Sequence, residues 1–213
     1  MIPKRFIRIW LDEPVPAKFE AFWEHAKALH PTWDFVTLDD SSQLGWMRCK
    51  DVFDAQTTHA GRADVLRYAA VFEMGGTYVD ADLEFLRPLD DLLDGPPFAG
   101  WENRQLICPT VIGAEAGHPA MKVLLDMLPR WAAARRGKPP NLQTGPHFLT
   151  AQWRRRRDVR LLPREAFYPV GWWERDKLGG PYPPESYAVH HWAQGWDPEA
   201  KARIDAAQPT REA

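Results

Sequence analysis

The sequence contains few cysteines and no long hydrophobic segment. Only two of its 213 residues are cysteine, Cys49 and Cys108. Two thiols give no disulfide framework, and each is expected to be a small, buried, apolar side chain in a reducing compartment. No apolar run approaches the length of a transmembrane helix, and the first residues lack the apolar core of a signal peptide. We therefore expect a cytoplasmic protein without a membrane span.

The sequence also has no large excess of charge of one sign. It contains 27 Lys and Arg against 29 Asp and Glu, a formal net charge of −2 at pH 7. This balance argues against a general affinity for nucleic acid or for an anionic membrane. The densest basic segment is Arg154–Arg157. Consecutive helical residues point in all directions, so we interpret it as a solvated helix end. Contact with an anionic acceptor, including nucleic acid, is the alternative.

The order of the expected elements indicates one α/β domain. A chain of 213 residues is long enough for one sizeable core, and it shows no internal repeat. Strands alternate with helices, which favours a mainly parallel sheet covered on both faces. The predicted strands are 5–11, 33–38, 77–80, 83–86, 98–101 and 106–112, with a last strand ending at His190. The predicted helices are 16–29, 62–74, 118–134 and 145–156, with loops at 137–146 and 179–184 and a short helix and frayed tail at 198–213.

The segment from Gly61 to Asp82 carries the strongest functional signal. Helix-forming residues are followed by Gly75-Gly76, which end a helix, and then by a short β-prone run. Asp80 and Asp82 therefore lie at the carboxyl end of a strand, where α/β sheets bind nucleotides. In an extended chain, side chains two residues apart share a face. Paired carboxylates there are typical ligands of Mg²⁺ or Mn²⁺.

Two further charged residues precede this pair on the predicted helix. Asp64 and Arg67 are spaced i and i+3, so they lie on one face of the helix. An exposed ion pair of little energetic value is one interpretation. Participation in the phosphate and metal site is the other.

The central run resembles the sugar-binding region of the DXD-containing glycosyltransferases of family 32. This family includes bacterial capsular sugar transferases, the fungal initiating α-mannosyltransferase and, more remotely, the clostridial glucosylating toxins. The opening strand differs from the family pattern, because Ile7-Arg8 stand where His-Gln is usual. The stretches that carry the resemblance are Ile2–Trp10, Arg62–Tyr68, Gly75–Asp82, Ile112–Pro119, Thr144–Pro146 and Tyr187–Trp196.

The resemblance implies a GT-A fold and a metal-dependent, retaining transfer from a nucleotide-diphosphate sugar, with a UDP-sugar favoured. It divides the single domain 1–213 into a mainly nucleotide-sugar side, 1–100, an acceptor side with a C-terminal lid, 101–197, and a tail, 198–213. A glycan is the favoured acceptor, in polysaccharide biosynthesis, and nucleic acid is disfavoured.

The resemblance also implies roles for individual residues. As metal ligands it implies Asp80, Asp82 and His190, with Asp82 direct, Asp80 through water or toward the ribose, and His191 as the fallback for His190. Asp64 and Arg67 are expected on the donor sugar and its phosphates, and they complete the catalytic set with Asp80 and Asp82. The expected nucleotide-sugar contacts are Trp10, Asp64, Arg67, Tyr78, Asp80 and Trp196, the last sharing a lid role with Trp192.

Other functions remain open from the sequence. A haloacid-dehalogenase-like phosphatase also uses Asp-x-Asp, but no Thr follows at the expected spacing after Asp82 and no later Asp pair is evident. A non-catalytic module that binds nucleotide sugars is harder to exclude, as is transfer to a protein or to a modified base in nucleic acid. The acceptor is expected on the side of residues 101–112 and 143–175, where Trp172-Trp173 form either an aromatic wall or a small satellite core.

Overall fold

The computed structural model describes residues 1–11, 14–39, 42, 45 and 47–193. The predicted tail at 198–213 lies outside these residues. The strands of the described part are β1 (Arg5–Ile9), β2 (Asp34–Leu38), β3 (Gly76–Val79), β4 (Leu83–Phe85), β5 (Phe98–Trp101), β6 (Ile107–Ala114), β7 (Arg160–Leu162) and β8 (Ala188–His190). The α-helices are α1 (Ala17–Leu29), α2 (Lys50–Asp54), α3 (His59–Met74), α4 (Pro119–Ala133), α5 (Pro140–Gln143) and α6 (Pro146–Trp153).

Six strands form one mixed sheet in the order β2-β1-β3-β6-β5-β7. β1 pairs in parallel with both β2 and β3, and β5 pairs in parallel with β7. Only β6 runs against its neighbours within this sheet, since it is antiparallel to β3 and to β5. The predicted mixed α/β fold with a mostly parallel sheet is thus confirmed. A separate antiparallel pair, β4 with β8, lies beside the sheet.

Apolar side chains cover both faces of the sheet. Phe6 and Ile7 are neighbours in β1, and they belong to two different core clusters because successive strand residues point to opposite faces. The Ile7 cluster contains the buried faces of α3, α4 and α6. The Phe6 cluster contains α1, the β4–β8 pair and the segment around Tyr168. The site described below lies where these layers meet the carboxyl end of β3.

Helix α3 has well-defined ends. The Thr58 side chain accepts a hydrogen bond from the Gly61 backbone N–H at 3.1 Å, which caps the N-terminus. Gly75 has φ +62° and Gly76 φ +110°, so the chain leaves the helix through backbone conformations that favour glycine. A Cβ on Gly76 would lie 2.7 Å from the Arg5 carbonyl oxygen. These glycines let α3 lead directly into β3.

The sequence prediction missed three short elements. α2 lies between the predicted strand 33–38 and the predicted helix 62–74, where no element was predicted, and α5 lies in the predicted loop at 137–146. β7 adds three residues to the edge of the sheet beyond β5. Such elements contain one turn or three residues, too few for a hydrophobic period to be visible. Their stability comes from tertiary packing.

No helix in the described part of the chain is long and apolar enough to span a membrane. The division into a nucleotide-sugar side, an acceptor side and a tail stays a prediction, as does the cytoplasmic location.

Candidate active site

The two carboxylates of the Asp80-Ala81-Asp82 segment follow β3 directly. The Asp80 backbone N–H still bonds to the Thr110 carbonyl at 3.0 Å, which continues the pairing with β6. The chain then turns, because the Leu83 N–H bonds to the Asp80 carbonyl at 3.2 Å. The predicted extended geometry is therefore wrong for this segment. Both carboxylates face the same site through a turn that leads into β4.

His190 reaches this turn from the far end of the described chain. β8 pairs with β4 so that His190 is opposite Leu83, one residue beyond Asp82. The His190 Nε2 lies 3.0 Å from Asp82 Oδ1 and 3.9 Å from Asp80 Oδ2. One ligand atom of each of the three residues lies within 4.8 Å of the other two. The structure thus brings together the three residues predicted as metal ligands.

The alternative ligand, His191, lies outside this cluster. Its Nε2 is 2.7 Å from Glu84 Oε2, and its Nδ1 is 3.3 Å from Lys18 Nζ. Neighbouring strand residues point to opposite sides, so only one of the two histidines faces the carboxylates. That residue is His190, as the sequence favoured.

Asp82 and His190 each favour the charged form of the other. Burial opposes the charge of Asp82, but the His190 ring and the Ala193 N–H, 2.8 Å away, lower its pKa to about 2. Burial also opposes the charge of the His190 ring. The carboxylates of Asp82, Asp80 and Glu102 nevertheless hold the pKa of His190 above its ordinary value. The other ring nitrogen, Nδ1, is buried without a hydrogen-bond partner among the described residues.

Three side chains hold the carboxylate of Asp80. The Tyr78 hydroxyl donates to Oδ1 at 2.5 Å and the Thr110 hydroxyl donates to Oδ2 at 3.1 Å. The Arg67 guanidinium lies 3.4 Å from Oδ1. Tyr78 is only 2% exposed and its hydroxyl already serves Asp80, so the structure places it behind the site. The predicted direct contact of Tyr78 with the nucleotide sugar is not compatible with that position.

Asp64 and Arg67 form a buried ion pair beneath Asp80. Arg67 Nη2 is 3.1 Å from Asp64 Oδ1, and each residue is 6% exposed. The interpretation as an exposed ion pair on a helix surface is therefore wrong. The Thr144 hydroxyl donates to Asp64 Oδ2 at 2.7 Å, and Arg67 Nη1 donates to the Pro109 carbonyl at 2.9 Å. Burial raises the pKa of Asp64 to about 6, against the opposing effects of Arg67 and Thr144.

The predicted aromatic contacts have different outcomes. Trp10 follows β1 at the same edge of the sheet as Asp80, is half-buried, and packs against Phe19 with ring centroids 5.9 Å apart. Trp192 is buried, its indole N–H donates to the Val170 carbonyl at 2.8 Å, and its ring centroid is 4.2 Å from that of His190. Trp192 is therefore part of the wall of the site. Trp196 lies outside the described residues.

Sequence reasoning missed the residues that support the site. Thr110 and Thr144 bind the two aspartates, and Glu102 is a buried carboxylate whose charge acts on His190. Thr144 stands in the Thr-Gly-Pro stretch that contributed to the family resemblance, and Gly145 allows a close approach, since a Cβ there would lie 3.2 Å from Asp64 Oδ2. Nothing local in the sequence marks Thr110 or Glu102, because their contacts are made only in the folded chain.

The donor set suits a divalent cation of the Mn²⁺ or Mg²⁺ type. Two carboxylates offer hard oxygen ligands, and an imidazole is a borderline ligand that Mn²⁺ accepts. The bonds that orient Asp80 are the kind of outer contacts that metal ligands usually have. Together with the sheet topology, the site fits the arrangement of the GT-A class of glycosyltransferases.

The family comparison gives the same class. A family model described as "Glycosyltransferase sugar-binding region containing DXD motif" matches residues 16–99. The match includes Asp64, Arg67, Asp80 and Asp82. Residues 16–99 therefore match the sugar-binding region of the DXD-containing glycosyltransferases, and the resemblance found in the sequence is confirmed.

Named relatives are glycosyltransferases with sphingolipid substrates in their names. Inositol phosphoceramide mannosyltransferase 3 of Schizosaccharomyces pombe (strain 972 / ATCC 24843) is 27% identical over 220 residues, which cover 90% of this chain and 60% of the yeast protein. Lactosylceramide 4-alpha-galactosyltransferase of Gorilla gorilla gorilla is 29% identical over 170 residues, which cover 68% of this chain and 50% of that protein. The chain thus spans less than two thirds of the length of either relative.

Among solved structures, the UDP-bound glycosyltransferase domain from the YGT toxin is similar in fold. The TM-score is 0.53 at 9% identity, and the alignment covers 75% of this chain and 79% of that domain. At this identity, the likeness establishes the fold alone.

Proposed function

We propose that the protein transfers a sugar from a nucleotide-diphosphate sugar to a hydroxyl group of a saccharide, free or lipid-linked, with a divalent cation at Asp80, Asp82 and His190. The observation that carries this proposal is the convergence of these three side chains at the carboxyl end of β3. The proposal includes retention of the anomeric configuration, which rests on the family resemblance. When bound, Mn²⁺ or Mg²⁺ would neutralise the diphosphate as it leaves.

The residues around Asp80 position the charged groups of the site before the substrate binds. Tyr78 and Thr110 orient Asp80, so that its carboxylate is held for coordination before substrate binds. Arg67 brings a positive charge beneath Asp80, where it favours the diphosphate and the donor sugar. Asp64 holds Arg67 and offers its small exposed surface to a sugar hydroxyl.

UDP is the favoured nucleotide in this proposal. The YGT toxin domain, which has the same fold, was crystallised with UDP. Trp10 lies at the carboxyl end of β1, next to β3 in the sheet, where its ring can stack on a nucleobase. The cytoplasmic location belongs to the same proposal, and fractionation of cells that express the chain would test it.

We base the proposed class of acceptor on the names of the relatives, and not on the basic segment at 154–157. The names of both relatives specify ceramide-linked headgroups that carry inositol or sugar. The arginines at 154–157 follow the end of α6, and Arg156 is paired with Asp158 at 2.6 Å. Transfer to nucleic acid therefore has no observation in its favour.

Calorimetric titration tests the proposed function directly. UDP should bind the wild-type protein in the presence of Mn²⁺ and bind at least tenfold more weakly after chelation. Asp82→Asn should remove this dependence on Mn²⁺, while Asp126→Asn, an exposed aspartate on α4, should retain it. Slow Mn²⁺-dependent hydrolysis of the UDP-sugar would separate an enzyme from a binding module. Equal UDP affinity with and without Mn²⁺ in the wild type would contradict the proposal.

A further inference from the structure

A groove of about 650 Å³ lies beside the candidate active site. Its lining includes Trp101, Asn103, Arg104 and Trp173. Trp101 ends β5, and the remaining lining residues begin at Pro163, directly after β7. The groove is therefore at the carboxyl ends of β5 and β7.

This position is on the same edge of the sheet as the three predicted metal ligands. β3, β5 and β7 run in the same direction, and only β6 separates β5 from β3. Neighbouring strands are about 4.8 Å apart, so the ends of β5 and β3 are about 10 Å apart. A pyranose ring bound in the groove would therefore be within reach of a sugar held above Asp80.

The lining has the chemistry of a saccharide site. Trp173 is 50% exposed, a large apolar ring in contact with solvent. The apolar faces of pyranose rings pack on such rings, and the side chain of Arg104 can bond to the hydroxyls at their edges. Arg104 has no hydrogen bond or ion pair with the described residues that would prevent this. By contrast, Arg164 is already paired with Glu174 at 2.5 Å. The Asn103 Oδ1 already accepts from the Gln105 and Leu106 N–H groups.

Glu102 is next to two groove residues in the chain and interacts electrostatically with the metal ligand His190. It lies between Trp101 and Asn103 in the sequence, yet its side chain is not part of the lining and is 8% exposed. The Asn103 amide is 3.5 Å from its Oε1, and none of the described lysines or arginines pairs with it. Its charge acts on His190. A buried carboxylate without a lysine or arginine partner is costly, and such groups are frequent where a substrate hydroxyl binds.

We propose that the groove binds the acceptor saccharide with a ring against Trp173, and that the Glu102 carboxylate accepts a hydrogen bond from the hydroxyl that is glycosylated. This inference rests on the proposed function and adds the place and orientation of the acceptor. The shared chemistry is a pyranose ring, which a free glycan and a glycolipid headgroup both supply.

Saturation-transfer difference NMR tests the groove without turnover. The protein, with UDP and Mn²⁺ present, is titrated with the methyl glycosides of glucose, galactose and mannose and with their octyl glycosides. At least one saccharide should bind, and Trp173→Ala should weaken its binding about tenfold. Trp172→Ala is the matched control, since Trp172 is 49% exposed, adjacent, and outside the groove. Stronger binding of the octyl form would indicate a lipid-linked acceptor, and equal binding a free glycan.

Two results would overturn the groove assignment: no saccharide of the panel binds the wild type, or Trp173→Ala binds as the wild type does. Calorimetry with UDP and Mn²⁺ is run on the same samples. Intact nucleotide binding together with either result refutes the groove alone, whereas absent nucleotide binding refutes the proposed function.

The role of Glu102 is tested by kinetics with the saccharide that binds. Glu102→Gln keeps a neutral acceptor atom and should lower kcat for transfer about tenfold, and Glu102→Leu about 100-fold. The KM for the UDP-sugar should change less than twofold, and its hydrolysis by water should fall far less than transfer does. A merely structural role would lower transfer and hydrolysis together, and that outcome would refute the proposed role.

Discussion

The Nε2 of His190 lies 3.0 Å from Oδ1 of Asp82, although 108 residues separate them in the chain. The contact exists because β8 pairs with β4, and β4 begins one residue after Asp82. The short ribbon thus delivers an imidazole to a carboxylate turn that follows the main sheet. The β4–β8 ribbon thus assembles the site, and a substitution of His190 or Asp82 should alter the position and the pKa of the other residue.

Replacing His190 should weaken metal binding without unfolding the protein. His190→Ala removes one of three ligands and should lower Mn²⁺ affinity about 10- to 100-fold. His191→Ala is the control, because His191 contacts Glu84 and Lys18 instead. Electron paramagnetic resonance of free Mn²⁺ measures both variants. Equal losses of Mn²⁺ affinity in the two variants would show that disruption of the β4–β8 ribbon, and not loss of the His190 ligand, weakens metal binding.

Removing the Tyr78 hydroxyl should affect the metal site from behind. Tyr78→Phe deletes the 2.5 Å bond to Asp80 and should weaken Mn²⁺ binding about tenfold, as loss of an outer-shell partner typically does. Tyr182→Phe, which deletes a hydroxyl bonded to the Gly179 N–H in an exposed loop, should leave it unchanged. Unaltered Mn²⁺ affinity in Tyr78→Phe would mean that Thr110 and Arg67 suffice to orient Asp80.

The Thr144 hydroxyl should contribute to stability through Asp64. Thr144→Val keeps the shape of the side chain but leaves Asp64 Oδ2 buried without this donor, which should cost about 1–3 kcal/mol of the free energy of unfolding. Thr57→Val, at an exposed position, should cost less than about 0.5 kcal/mol. Urea denaturation of both variants measures the difference, and similar small losses would argue that Arg67 alone satisfies Asp64.

Gly76 should be less tolerant of substitution than Gly179, another glycine with positive φ. At Gly76 an alanine meets both an unfavourable φ of +110° and the Arg5 carbonyl oxygen at 2.7 Å. At Gly179, φ is +85° and no atom lies within 4 Å, so only the backbone cost of about 1–2 kcal/mol applies. Thermal unfolding should show that Gly76→Ala loses at least about 2 kcal/mol more. Equal losses would show that the chain near Arg5 can move away.

Stability should depend on pH through Asp64. The pKa of Asp64 is raised from 3.8 to about 6 in the folded chain, so between these values the folded state binds more protons than the unfolded state. Its contribution is therefore complete at low pH and is lost as pH rises toward 6. The free energy of unfolding of the wild type, minus that of Asp64→Asn, should fall by about 2.4 kcal/mol from pH 4 to pH 7. A constant difference across this range in urea titrations would refute the shift.

The sequence alone determined the class of fold and the two pairs of site residues whose members are close together in the chain. Helix formers, two glycines and a β-prone run dictate α3, the turn and β3 within about 20 residues, because propensity and backbone sterics act over short distances. Asp64 with Arg67, and Asp80 with Asp82, were therefore visible as pairs. Their type and spacing were enough to suggest metal and phosphate chemistry.

Only the tertiary structure decided which distant residues complete the site. His190, Thr110 and Thr144 reach the aspartates through the β4–β8 pairing, the β3–β6 pairing and the approach of the segment before α6. It also decided that Tyr78 lies behind Asp80, that the Asp64–Arg67 pair is buried, and that Trp192 is part of a wall. Burial and long-range strand pairing depend on how the helices pack on the sheet. The free energy that stabilises this packing comes from many core contacts, so no short sequence motif reveals it.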